Sequence, residues 1–137
     1  MKKPLQRFWI FALLAVLMAG CAVIKPPAPP LSENPAVIAL VDSAHVDIDA
    51  GRLPNAAAVL ERALRLEPKN PRLWQELARL RMKEGDYAQA ESCAQRSSSW
   101  AGDNNDLRAE NWRLIGEARA ARGDETGAKA ALERAKR

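Results

Sequence analysis

The side chains best suited to nucleophilic or metal chemistry at neutral pH are few: two cysteines, Cys21 and Cys93, and a single histidine, His45. A thiol or hydroxyl nucleophile needs a base within hydrogen-bond reach. Every Cys/His or Ser/His/Asp arrangement in this chain would therefore depend on His45, and no histidine lies near Cys93 in sequence. A zinc site needs several ligands at short spacing, and no second His or Cys offers it. Neither a metal nor a cofactor is expected, and an enzyme is not. Cys21 is open to three fates: a buried thiol, half of a disulfide, or the point where the chain is cut and tied to a membrane.

The residues around Cys21 favour the third fate. Lys2, Lys3 and Arg7 form a basic head, Phe8 to Met18 is an unbroken apolar run, and Ala19 and Gly20 are small. That order is a secretory signal with its cleavage site. The rivals are ordinary secretion and an uncleaved anchor, the apolar stretch 8–24 sitting at the lower edge of what spans a bilayer. The motif Met18-Ala19-Gly20-Cys21 resembles the lipobox of bacterial lipoproteins, with Met18 where leucine is usual. The resemblance implies cleavage before Cys21, diacylglycerol on its thiol and acylation of its new amine. Several acyl chains, at ~0.8 kcal/mol per buried methylene, hold a protein on a membrane almost permanently. Ala22 stands where inner-membrane retention in that family wants aspartate, so the implied location is the periplasmic face of the outer membrane.

The expected organisation is a signal over 1–20, a lipidated cysteine and proline-rich tether over 21–34, and a helical domain over 35–137. Pro26, Pro27, Pro29 and Pro30 fall within the tether. Proline favours extended polyproline II, and at ~3.1 Å per residue the spacer reaches roughly 40 Å. Cleavage also changes the charge. The whole chain carries 21 basic and 17 acidic residues, a formal +4. Residues 1–20 hold three bases and no acid, which leaves 18 against 17. The basic character belongs to the targeting segment, so nucleic acid is not an expected partner. With Cys21 lipidated, Cys93 is left without an intramolecular partner and reads as a small hydrophobe on a helix.

The remainder is rich in Ala, Leu, Arg and Glu. Val59, Leu60, Ala63, Leu64 and Leu66 recur at helical spacing, as do Leu73, Trp74, Leu77, Ala78 and Leu80. Asn34-Pro35 and Asn70-Pro71 place a capping residue before a proline at the first helical position. Asp86 and Asp124 follow Gly85 and Gly123, so one helix ends on glycine and the next starts on an aspartate cap, with Gln89 set to complete a capping box. The spacing predicts helices over about 35–49, 54–66, 71–84, 87–99, 106–122 and 125–136.

The glycines expose a period. Gly51 and Gly85 are 34 apart, and Gly123 follows 38 later. Five after each glycine comes Ala56, Ala90 or Ala128, and seven before comes Ala44, Ala78 or Gly116. Eleven before comes Leu40, Trp74 or Trp112. Small residues at two fixed points let paired helices approach closely, and glycine makes the turn. One such hairpin cannot bury its own apolar face, so hairpins stack. In the last helix, Ala128, Ala131, Leu132 and Ala135 can face inward while Lys129, Glu133, Arg134, Lys136 and Arg137 stay wet.

The middle unit, "NPRLWQELARLRMKEGDYAQA", resembles the tetratricopeptide repeat (TPR) through Trp74, Leu77, Ala78, Gly85, Tyr87 and Ala90. Asp47, Arg81 and Arg119 depart from it, standing where the family often has tyrosine. The resemblance implies an all-α solenoid of three antiparallel hairpins whose first helices line a groove. Carried over residue by residue, the lining is Ile38, Val41, His45, Ile48 and Asp49 in the first unit. It is Arg72, Gln75, Arg79, Met82 and Lys83 in the middle one, and Glu110, Arg113, Glu117, Ala120 and Ala121 in the third. One end would be apolar and the centre basic, suited to an extended protein segment with an apolar anchor beside acidic groups. Asparagine is missing from the ninth position in every unit, so the carboxylate clamp of chaperone-type members is not reproduced. The implied role is a membrane-tethered adaptor or assembly factor for a periplasmic or outer-membrane protein or peptide. The alternative is a structural subunit that works by self-association.

Overall fold

The computed structural model describes residues 30–137. The expected signal, Cys21 and most of the expected tether lie outside the described residues. Within them are six α-helices: α1 Pro35–Asp49, α2 Leu53–Leu66, α3 Pro71–Glu84, α4 Tyr87–Trp100, α5 Asn105–Ala121 and α6 Glu125–Arg134. They pair as hairpins α1/α2, α3/α4 and α5/α6, and each hairpin packs on the next. None of these helices is long and apolar enough to cross a membrane.

The helix boundaries follow from local chemistry. Asn34 Oδ1 accepts from the Ala36 N–H at 3.0 Å, and Asn70 Oδ1 accepts from Arg72 and Leu73 at 3.0 and 3.3 Å. Each cap satisfies amide groups that the first turn leaves without partners. Gly85 and Gly123 close α3 and α5 at φ of +78° and +82°, in the left-handed region where other residues are strained. Asp86 and Asp124 then cap the next helices, accepting from Gln89 and Gly127 amides at 3.1 and 2.9 Å. The expected capping box at Gln89 is not completed. The Asp86 N–H already donates to the Arg81 carbonyl at 2.9 Å in the turn, so no donor remains for the glutamine side chain.

The repeat register coincides with burial. Ala44, Ala56, Ala78 and Ala90 are fully buried, and Ala128 nearly so. At Gly116 the approach is closer still, since a Cβ there would stand 2.8 Å from Leu132 Cγ. Leu60, Leu73, Leu77 and Leu80 fill the interior between the helices. The large residue eleven before each glycine, Leu40, Trp74 or Trp112, is only partly buried. Trp74 and Trp112 are half-buried, packed against the core from its edge rather than filling it. The Trp74 indole N–H donates to the Pro68 carbonyl at 2.8 Å. Arg96 lies 4.9 Å over Trp74 and Arg134 lies 4.7 Å over Trp112. Both arginines stand eleven after their unit's glycine, so an arginine-over-tryptophan pair is itself part of the repeat.

The third unit departs in one further way. Leu132 occupies the register position where Leu60 and Ala94 are fully buried, yet it is 40% exposed. Among the described residues, none of the helices covers it. The segment before α1 is also tied down. The Ser32 hydroxyl donates to Glu67 Oε1 at 2.6 Å, and Asn70 Nδ2 donates to the Leu31 carbonyl at 2.9 Å. The chain therefore enters the domain clamped against the α2–α3 loop.

Candidate functional site

The first helices of the hairpins, α1, α3 and α5, present the expected lining. Their caps and glycine turns set the rotation of each helix, and burial of Val37, Ala44, Leu73, Ala78 and Ile115 turns the other sides outward. Ile38 is 41% exposed, His45, Lys83 and Arg113 are exposed, and Ile48 is half-buried. Two expected lining residues are not available. Val41 is buried in the core, because α1 rolls it inward with Val37 and Ala44. Gln75 is buried and donates from Nε2 to Asn111 Oδ1 at 3.0 Å.

The centre of the groove is balanced in charge rather than basic. Arg79 sits 3.3 Å from Glu76 and 3.2 Å from Glu110, bridging α3 to α5. His45 Nε2 lies 3.4 Å from the other oxygen of Glu76, bridging α1 to α3. Arg79, Glu110, Arg113, Leu114 and Glu117 enclose a small concavity of about 170 Å³. Glu76 is the residue that sequence reasoning missed. It stands three before Arg79, outside the five family lining positions, although that spacing places two side chains together on a helix. Arg72 is separate from this cluster. It lines a larger concavity of about 600 Å³ at the clamped edge, with Pro30, Leu31, Asn104 and Leu107.

Beneath the groove lies a buried polar chain. Asn111 Nδ2 donates to Ser97 Oγ at 2.7 Å, and Ser97 Oγ donates to the Pro71 carbonyl at 2.7 Å. With Gln75 this chain ties α3, α4 and α5, so the second and third first-helices are held in one arrangement. The departures from tyrosine also acquire a role. Arg119 donates twice to Glu91 Oε1, at 2.8 and 2.6 Å, across the boundary between units. Arg81 does the equivalent with Glu61 at 2.9 Å and also holds Glu84 at 2.7 Å. Hydrogen bonds to Glu91 raise the Arg119 pKa, holding the guanidinium more firmly in its charged form. The Arg119–Glu91 and Arg81–Glu61 pairs are links between hairpins.

Comparison with known proteins agrees with this architecture. The globular C-terminal domain of P. aeruginosa LpoP is 40% identical, superposes with a TM-score of 0.74, and matches over 77% of this chain and 100% of its own. The N-terminal domain of stress-induced protein-1 (STI-1) from C. elegans is 17% identical with a TM-score of 0.70, over 79% of this chain and 86% of its own, a likeness of fold. Among curated proteins no sequence matches. The tetratricopeptide repeat family model matches residues 47–110, from the end of the first helix of the first hairpin to the start of the third hairpin. Three stacked hairpins with a shared register, and a 40% identical relative covered in full, place this chain in the tetratricopeptide repeat family.

Proposed function

We propose that this protein is a lipid-anchored adaptor on the periplasmic face of the outer membrane, which holds a segment of a protein partner in its groove and carries out no chemistry itself. The observation that carries the reading is the groove surface. Exposed Ile38, His45, Lys83 and Arg113 line a continuous face around the Glu76–Arg79–Glu110 ladder. Paired charges with exposed flanks favour a partner of matching alternation, because a mismatched charge would be desolvated without a partner. The likeness to the LpoP domain supports an envelope setting, and the Met18–Cys21 motif supports the anchor.

Two measurements test the proposal. Intact mass of the membrane-extracted protein is expected to show loss of residues 1–20 and added acyl mass, and Cys21→Ser is expected to release it from membranes. A membrane-bound, cleaved Cys21→Ser protein refutes the anchor. Crosslinking in intact envelopes is expected to capture one partner, lost in Arg79→Glu with Arg113→Glu and kept in Lys129→Glu with Arg137→Glu. The reverse pattern refutes the groove. A second reading rests on Leu132, which is exposed beside a concavity of about 690 Å³ lined by Arg113, Lys129 and Lys136. It predicts self-association through the terminal face, seen as a concentration-dependent mass that Leu132→Glu abolishes.

A further inference from the structure

The second helices of the first two hairpins, α2 and α4, leave a cleft between them with α3 as its floor. Its volume is about 460 Å³, in the range that accepts one large side chain with its flanking backbone. The floor and wall are apolar: Leu64, Leu77 and the Trp74 ring. The rim is cationic, with Arg65, Arg81 and Arg96 against a single carboxylate, Glu61. Glu61 is already engaged by Arg81 at 2.9 Å. Among the described residues, Arg65 and Arg96 have no ion-pair partner, and Arg96 is held in place over Trp74. An anion at this rim thus meets donors with capacity to spare.

We propose that this cleft is a second binding site, on the face opposite the groove, for an acidic protein segment carrying one aromatic or large aliphatic side chain. Charge complementarity selects the occupant. The groove concavity offers Arg79 and Arg113 against Glu110 and Glu117 and has no net charge to attract an acidic ligand. With Arg81 held by both Glu61 and Glu84, the positive charge of the cleft is carried by Arg65 and Arg96 over an apolar floor. An acidic segment would pair Arg65 and Arg96 while its apolar side chain packs on the half-buried Trp74 and the remaining exposed edges of Leu64 and Leu77. This site is independent of the groove reading, since its residues lie on other helix faces.

The test uses the full chain in detergent and a fluorescein-labelled nonapeptide of aspartate and glutamate with one central phenylalanine. Binding is expected, weakened at least tenfold by Arg65→Glu with Arg96→Glu and changed less than twofold by Arg79→Glu with Arg113→Glu. Peptides with serine in place of phenylalanine, or lysine in place of the acids, are expected to bind at least tenfold more weakly. Salt is expected to weaken binding, as the Debye length shrinks from ~10 Å at 0.1 M to ~3 Å at 1 M. Cys93 lines the cleft and supplies a readout that needs no charge reversal. Its alkylation by iodoacetamide is expected to slow at least fivefold when the acidic peptide is bound. Equal binding of the lysine peptide, loss only in the groove variant, or an unchanged Cys93 rate overturns the cleft. Loss only in the groove variant leaves the groove reading standing, so the two proposals fail separately.

Discussion

Where α2 meets α3, the buried contact is made of Leu60, Leu64, Leu73 and Leu77, and polar links stay at its margin. Where α4 meets α5, the seam contains Ser97 and Asn111, both fully buried and hydrogen-bonded through to Gln75 and the Pro71 carbonyl. Apolar contact is non-directional and tolerates a partial opening. A buried hydrogen-bonded chain does not, since parting it strands polar groups away from water. The first seam accordingly opens into a cleft and the second is sealed. An array can thus hold its groove rigid at one seam and present a crevice at the other.

The largest effect is expected at the sealed seam. Asn111→Leu strands the Gln75 Nε2 donor, at about 1–3 kcal/mol, and removes one hydrogen bond from Ser97 Oγ, which keeps its bond to the Pro71 carbonyl, at about 0.5–1.5 kcal/mol, or roughly 2–4 kcal/mol in all. A thermal melt is expected to show a fall of roughly 4–8 °C per kcal/mol. An unchanged melting temperature would mean that the polar chain does not hold the seam.

At the open seam the matching substitution is Leu64→Ala. Large-to-small changes in cores cost about 2–5 kcal/mol, the low end where neighbours are already open to solvent. Because Leu64 borders the cleft, a loss of about 2 kcal/mol is expected by urea unfolding. A loss larger than that of Asn111→Leu would reverse the ranking of the two seams.

The ion pairs sharpen the same contrast at smaller scale. Glu91 holds Arg119 and Arg122 with only 12% of its side chain exposed, whereas Glu61 is 48% exposed. Glu91→Gln is expected to cost about 1 kcal/mol, discounted because both arginines remain partly hydrated. Glu61→Gln is expected to cost within about 0.5 kcal/mol, since Arg81 keeps Glu84. Equal losses in paired denaturation curves would mean that the two boundary links do equal work.

The smallest effect concerns pH. Burial raises the Cys93 thiol above its ordinary value of 9.0, with nearby Arg81 and Arg96 pulling the other way. A folded pKa above the unfolded one gives stability that is whole below pH 9 and lost as pH rises through the folded value. Stability measured from pH 8 to 11 is expected to fall less steeply in Cys93→Ala. Identical slopes would place the alkaline loss elsewhere.

Most of the fold was legible because it rests on local chemistry. Asn34, Asn70, Asp86 and Asp124 cap helices through their own neighbouring amides, and Gly85 and Gly123 turn through their own backbone freedom. The alanine register needs only a 34-residue comparison of the chain with itself. The candidate groove was legible in its outline and misread in its content. Val41 and Gln75 sit at family lining positions, yet a rotation of α1 and the hydrogen bond to Asn111 remove them from the surface. The arginine-over-tryptophan pairs were present in the register at eleven before and eleven after Gly85 and Gly123, and only a search for long-range pairs within a unit would have found them.

By itself, then, the order of residues determined the helices, their turns, the hairpin pairing and the lipobox-like approach to Cys21. Each depends on groups a few residues apart or on a period the chain carries within itself. The tertiary structure alone decided that Arg79 would be neutralised by Glu76 and Glu110, that Leu132 would be left uncovered, and that one seam would be sealed while the other opened. Those outcomes depend on which side chains meet across hairpins. Rotations of a helix by a fraction of a turn change such meetings without changing any residue's local preference.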